Sequence, residues 1–141
     1  MPPYSLRRLA WAGPLATIAA FLADGLYYAL TKALGEQYLM PLDGNNIHLS
    51  PMPVLMPVVS ILVAGLLASV LFGLLLRFAR KPVTVFLSVS ITALILSIGG
   101  PSNLPAATLQ TKLLLCGMQA IAAAIITAGI LLLSHKDTKV F

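Results

Sequence analysis

The residue with the most chemistry to offer is an aspartate inside an apolar run. Asp24 lies in a stretch from Leu9 to Leu34 that is otherwise interrupted by Lys32 alone. An acidic side chain in such a stretch is costly in hydrocarbon, and where one occurs it faces a bundle interior or a water-filled cavity. Its chemistry there would be hydrogen bonding, proton carriage or the binding of a cation. At ~1.5 Å per residue Asp24 stands ~22 Å beyond Leu9, past the middle of a ~30 Å hydrocarbon core. Gln119, Ser60 and Thr92 lie in other apolar runs, and Asp24, Gln119, Ser60 and Thr92 are expected to form a polar layer. Lys32 and Lys112 fall nearer the ends of their runs, so a neutral carboxyl donating to Gln119 or Ser60 is expected in place of a buried ion pair. The layer then has two readings. Either its members bond one another and hold the helices in register, each bond worth ~0.6 kcal/mol, or they line a small outward-facing cavity.

Other reactive residues promise less. His48 and Asp43 are two ligands in a loop, short of a metal site. Cys116 is the single cysteine, which excludes an internal disulfide and reads as a small buried hydrophobe. His135 sits beside Lys136 and reads as the end of a helix at an interface. No phosphate-binding glycine loop, paired-histidine motif or nucleophile elbow occurs. No catalytic, cofactor-binding or metal-binding residue is assigned, and no cofactor is expected.

The elements that must position these residues are set by composition. The chain has 141 residues, 59% hydrophobic and 9% charged, with a mean hydropathy of +0.96. Soluble domains carry about a quarter charged residues, so this chain is expected to be an integral membrane protein. Disorder is excluded by the same composition. A helix needs ~20 apolar residues to cross a bilayer, and the sequence supplies helices at about 9–34, 54–76, 83–99 and 113–133. The fold class is therefore all-α, a membrane-spanning four-helix bundle forming one transmembrane domain over 1–141. No segment alternates in the manner of a barrel strand. The apolar run after Arg7-Arg8 continues past Ala23 through Leu26-Tyr27-Tyr28-Ala29-Leu30, too long for a cleaved signal, and is read as the first helix.

Charge gives the orientation. Arg7, Arg8, Arg77, Arg80, Lys81, Lys136 and Lys139 fall on one side of this arrangement, against Lys32 and Lys112 on the other, seven to two. Cytoplasmic loops accumulate lysine and arginine, so both termini are expected in the cytoplasm. The net charge of +5 is this asymmetry, which suits anionic lipid; no nucleic-acid partner is expected. Trp11, Tyr27, Tyr28 and Tyr38 fit interfacial aromatic belts.

Spacing also names packing faces. Gly13, Thr17, Ala20, Asp24, Tyr27 and Thr31 share one side of the first helix, with Leu15, Ile18, Leu22 and Leu26 on the other. Gly65, Ser69 and Gly73 repeat every fourth residue in the second helix, as Ala120, Ala124 and Ala128 do in the fourth. Small residues so spaced let helices approach closely. Both sets are expected to be packing faces, against helices of this chain or a second copy, and Ala124→Leu is expected to disrupt the bundle more than Leu132→Ala.

Arg77-Phe78-Ala79-Arg80-Lys81-Pro82-Val83-Thr84-Val85-Phe86 and Leu96-Ser97-Ile98-Gly99-Gly100-Pro101 resemble a family of small bacterial four-helix membrane proteins catalogued as a domain of unknown function. The resemblance extends to Asp24, to Ala33-Leu34-Gly35, to Thr111-Lys112-Leu113 and to Met118. Gln119 departs from it, standing where a histidine would follow the methionine. The resemblance implies four helices in a bacterial inner membrane and carries no activity.

Two functions are compatible with these residues. The first is a non-enzymatic structural or accessory role, with the lipid bilayer and a homo-oligomer or another membrane protein as partners. The second is transport or permeation of a small molecule or ion through an outward-facing site around Asp24, as an oligomer. A structural role needs that carboxyl capped, whereas transport needs it accessible.

Overall fold

In the computed structural model, residues 4–41, 49–103 and 107–135 are described. They form four packed helices, α1 (Leu6–Ala33), α2 (Leu55–Phe78), α3 (Pro82–Ser102) and α4 (Leu109–Ser134), with two short strands, β1 (Leu39–Pro41) and β2 (Leu49–Pro51), between α1 and α2. All four helices contain stretches long and apolar enough to cross a membrane.

Local chemistry sets the helix ends. α1 stops at Gly35, whose φ of 89° only glycine adopts without strain. Gly35 N–H donates to the Lys32 carbonyl at 3.0 Å and Glu36 N–H to the Thr31 carbonyl at 3.1 Å, the paired bonds of a Schellman end. α4 starts four residues before the expected Leu113, because Thr108 caps it: its side chain accepts from Thr111 N–H at 3.2 Å. Hydropathy alone missed this first turn, which contains Gln110, Thr111 and Lys112. α3 opens on Pro82, which suits a first helical position, and it runs through Gly99-Gly100-Pro101 to Ser102. The strands were not expected. Leu39 pairs with Pro51, Met40 with Ser50 and Pro41 with Leu49, antiparallel. Three residues are too few to show a strand period among so many turn formers.

α1 packs most extensively against α4 and also against α2, while α3 closes the bundle against α4 and α2. The chain enters and leaves at the same end. Tyr4 and His135 form an antiparallel bridge, Ser5 N–H donates to the Ser134 carbonyl at 3.2 Å, and Arg8 Nη1 donates to the His135 carbonyl at 2.6 Å. Tyr4 meets Phe72 edge-on at 5.4 Å, and Phe72 meets Phe86 at 4.8 Å. Following the helices places Arg7, Arg8, Arg77, Arg80 and Lys81 at this end and Lys32 and Lys112 at the opposite one; Lys136 and Lys139 lie outside the described residues. The core runs along the bundle through Leu9, Ala16, Ala20, Ile61, Phe72, Phe86, Ala122, Ile126 and Ile130. A second cluster of Tyr38, Met52 and Met118 lies beneath the strands.

Candidate functional site

Asp24 reaches the bundle interior because it continues the buried ladder of α1, Ala12, Gly13, Ala16, Thr17 and Ala20. Leu15, Ile18, Leu22 and Leu26 are exposed on the other side, so the faces of α1 are arranged as expected. Asp24 is 3% exposed. It lines a cavity of about 190 Å³ with Phe21, Gly25 and Tyr28 of α1, Val54, Pro57, Val58 and Ile61 at the start of α2, and Met118 of α4. Among the described residues, its Oδ1 is buried without a hydrogen-bond partner.

The four-residue polar layer is not assembled. Gln119 is half-buried and its Oε1 is likewise without a partner among the described residues. Ser60 and Thr92, however, are both exposed. Ser60 donates to the Met56 carbonyl at 2.9 Å and Thr92 to the Ser88 carbonyl at 2.8 Å. A hydroxyl satisfied by its own helix four residues back needs no partner across the bundle, so depth along a helix did not fix which way these two face.

The packing residues divide similarly. Gly65 is buried, and a Cβ there would collide with the side chain of Thr17, as one at Gly13 would with that of Ser69. Gly73 lies against Leu9 and Leu6, where a Cβ would sit 3.4 Å from Leu9 Cδ2. The α2 stripe is thus the seam with α1. The α4 stripe does not pack within this chain: Ala120, Ala124 and Ala128 are all exposed, which leaves, of the expected partners, a second copy or another protein. α4 instead buries Met118, Ala122, Ile126, Ile130 and Ser134. Both ladders step by four, but they are offset by two residues, about 200° around a helix. Met118, Ile126 and Ile130 face inward together with Ala122 and Ser134, and Ala120, Ala124 and Ala128 face outward. Gly117 and Gly129, not singled out by spacing, are the close contacts of α4, packed against Tyr27 and Ala16.

Above the cavity sits an aromatic group for which the sequence signalled only interfacial residues. Tyr38 is buried at 5% exposure, its hydroxyl 2.6 Å from Thr31 Oγ1 and its ring 4.8 Å from that of Tyr28. Burial, first of all, pushes the Tyr38 phenol above its ordinary pKa, with Tyr27, Tyr28 and Glu36 adding to the rise and the Thr31 bond opposing it. Lys32 Nζ lies 5.7 Å from the centre of the Tyr28 ring. Gln110 donates to Glu36 and Thr111 Oγ1 to the Gln37 carbonyl at 3.2 Å, tying α4 to the segment after α1. Tyr28 is therefore a fixed wall of the cavity.

A larger groove, about 370 Å³, runs along the α1–α2 seam between Leu6, Pro14, Leu62 and Val70. The hydroxyls beside it, Thr17 and Ser69, are bonded to the Gly13 and Gly65 carbonyls, so it resembles a surface for lipid chains more than a site for chemistry. Cys116 is half-buried as a free thiol, and His48 and Asp43 lie outside the described residues. Among the described residues, no three His, Cys, Asp or Glu side chains gather where a metal ion could be held.

Comparison with known proteins matches the model of DUF6069, a family of unknown function, to residues 4–134. No curated protein and no solved structure matches the chain.

Proposed function

We propose that this chain, which belongs to the DUF6069 family of unknown function, is a non-enzymatic protein of a bacterial inner membrane that transports or admits a small solute through the Asp24 cavity, working as an oligomer. The observation that carries this reading is the uncapped carboxyl: Asp24 is buried, lines a cavity, and keeps Oδ1 without a partner among the described residues. An unsatisfied buried polar group costs about 1–3 kcal/mol, and a group serving only to hold helices together has no reason to be left so. Flux into liposomes containing the purified protein is the test. Asp24→Asn is expected to abolish flux while leaving the melting temperature in place; unchanged flux refutes the reading. Both termini lie in the cytoplasm on this proposal, supported by the five described basic residues gathered at one end. A cysteine replacing Asn45 should then react only with reagents added from outside.

A structural or accessory role is the second reading, and the outward alanine stripe of α4 supports it. Ala120, Ala124 and Ala128 give a partner helix or a second copy a smooth surface to approach. Crosslinking in native membranes tests it, and a chain that crosslinks to nothing counts against it.

A further inference from the structure

The lining of the Asp24 cavity selects a class of solute, an inference that rests on the solute-binding reading above. Asp24 is the acidic group in the lining, and no lysine or arginine is among the lining residues. A cationic ligand could therefore provide the counter-charge that the walls do not. Hard inorganic cations exchange their water for several oxygens, about six to eight for Ca²⁺. Beyond the carboxyl and the Tyr28 side chain, these walls present the side chains of Phe21, Val58, Ile61 and Met118. Such walls cannot replace a hydration shell. They suit a cation that carries its own apolar surface, pairs with one carboxylate and rests against aromatic carbon.

Size narrows the class further. Sites for drug-sized ligands span about 300–1,000 Å³, and this cavity is about 190 Å³. The cavity is not sealed, since Phe21 and Val54 of its lining are 40% and 60% exposed. We propose that the Asp24 cavity binds a small alkylammonium ion, its charged nitrogen against the Asp24 carboxyl and its alkyl groups against Phe21, Val58, Ile61 and Met118.

The test titrates the full chain in lipid nanodiscs with methylammonium and tetramethylammonium, against NaCl and KCl at equal ionic strength. Binding is read by intrinsic fluorescence and by the shift in melting temperature. Saturable binding of at least one alkylammonium is expected, weakened about tenfold or more by Asp24→Asn with the ligand-free melting temperature retained. Val58→Phe, which fills the cavity and keeps the carboxyl, should weaken it comparably. Asp24-dependent binding of Na⁺ or K⁺ without alkylammonium binding overturns the ligand class and leaves the solute-binding reading standing. Absence of Asp24-dependent binding by any of the four cations overturns both. Should Asp24→Asn fail to fold, Val58→Phe decides, and unchanged alkylammonium affinity in that variant overturns the proposal.

Discussion

α1 and α2 meet in two ways along their length. Towards the end where Tyr4 bridges His135, Gly13 and Thr17 interlock with Ser69 and Gly65 so closely that neither glycine has room for a methyl group. Towards the strands, the same two helices part around Asp24 and leave a cavity. The difference lies in how each polar group is satisfied. Thr17 donates to the Gly13 carbonyl at 2.8 Å and Ser69 to the Gly65 carbonyl at 2.7 Å, so each hydroxyl enters the seam already bonded within its own helix. In place of the expected neutral carboxyl donating to Gln119 or Ser60, no hydrogen bond joins Asp24 to either among the described residues. In its ionised form the carboxyl only accepts, and the N–H groups of a helix interior are already engaged with carbonyls four residues back. Asp24 therefore requires a donor from elsewhere. Both regions have open space beside them, but the groove along the seam meets hydroxyls already bonded within their own helices, whereas the cavity at Asp24 meets an acceptor without a partner among the described residues.

The sharpest way to break this comparison is to damage the seam. Gly65→Leu should lower stability by about 3 kcal/mol, read as lost melting temperature in detergent, and Thr17→Ala in the same background should restore part of it. A neutral Gly65→Leu would mean that the helices do not touch there. Asp24→Leu should act in the opposite direction. Removing an unpartnered buried acceptor beside a cavity that can take a larger side chain should raise stability by about 1–2 kcal/mol while abolishing solute binding. A destabilised Asp24→Leu would show that the carboxyl is capped after all.

Tyr38→Phe, which loses the Thr31 bond at the top of the cavity, should cost about 1 kcal/mol. Its pH dependence has a definite sign. With the folded-state pKa raised, the unfolded chain loses the phenol proton first, so stability declines as pH rises past the ordinary value of 10.0. Tyr38→Phe should flatten that alkaline limb in a series of melts. The smallest effect is expected outside the core. Ala124→Leu and Leu132→Ala both change exposed positions, and each should shift stability by less than about 0.5 kcal/mol. A large loss for Ala124→Leu would restore the packing face that its spacing suggested.

What the sequence made legible follows from which forces it records directly. Hydropathy recorded the four helices, since each must be apolar for its whole crossing. The burial of Asp24 was legible too, because a carboxyl has few tolerable places in such a helix. Facing was only partly legible. On α1, polar and large apolar residues occupy opposite sides and the pattern settles the matter. On α4 both sides are apolar, with alanines at Ala120, Ala124 and Ala128 and larger residues at Met118, Ile126 and Ile130, and the small-residue rule did not tell the side packed within the chain from the side left outward. Ser60 and Thr92 misled for a related reason, since a hydroxyl bonded to its own helix carries no directional preference. The strands pair residues only 8 to 12 apart, but three-residue strands are too short to carry a period, and the burial of Tyr38 draws also on Met118 of α4, a contact that local spacing does not encode.

The dominance of the α1–α4 contact has a consequence for the order of synthesis. α1 is made before α4, so the helix carrying Asp24 emerges well before its largest partner exists. Until Leu109–Ser134 is made, α1 has α2 as its available neighbour, and the interlock of Gly13 with Ser69 and Thr17 with Gly65 is the contact that can form meanwhile. The arrival of α4 brings Met118 to the lining of the cavity and joins Ser134 to Ser5, so this pocket is complete only once all four described helices have been made.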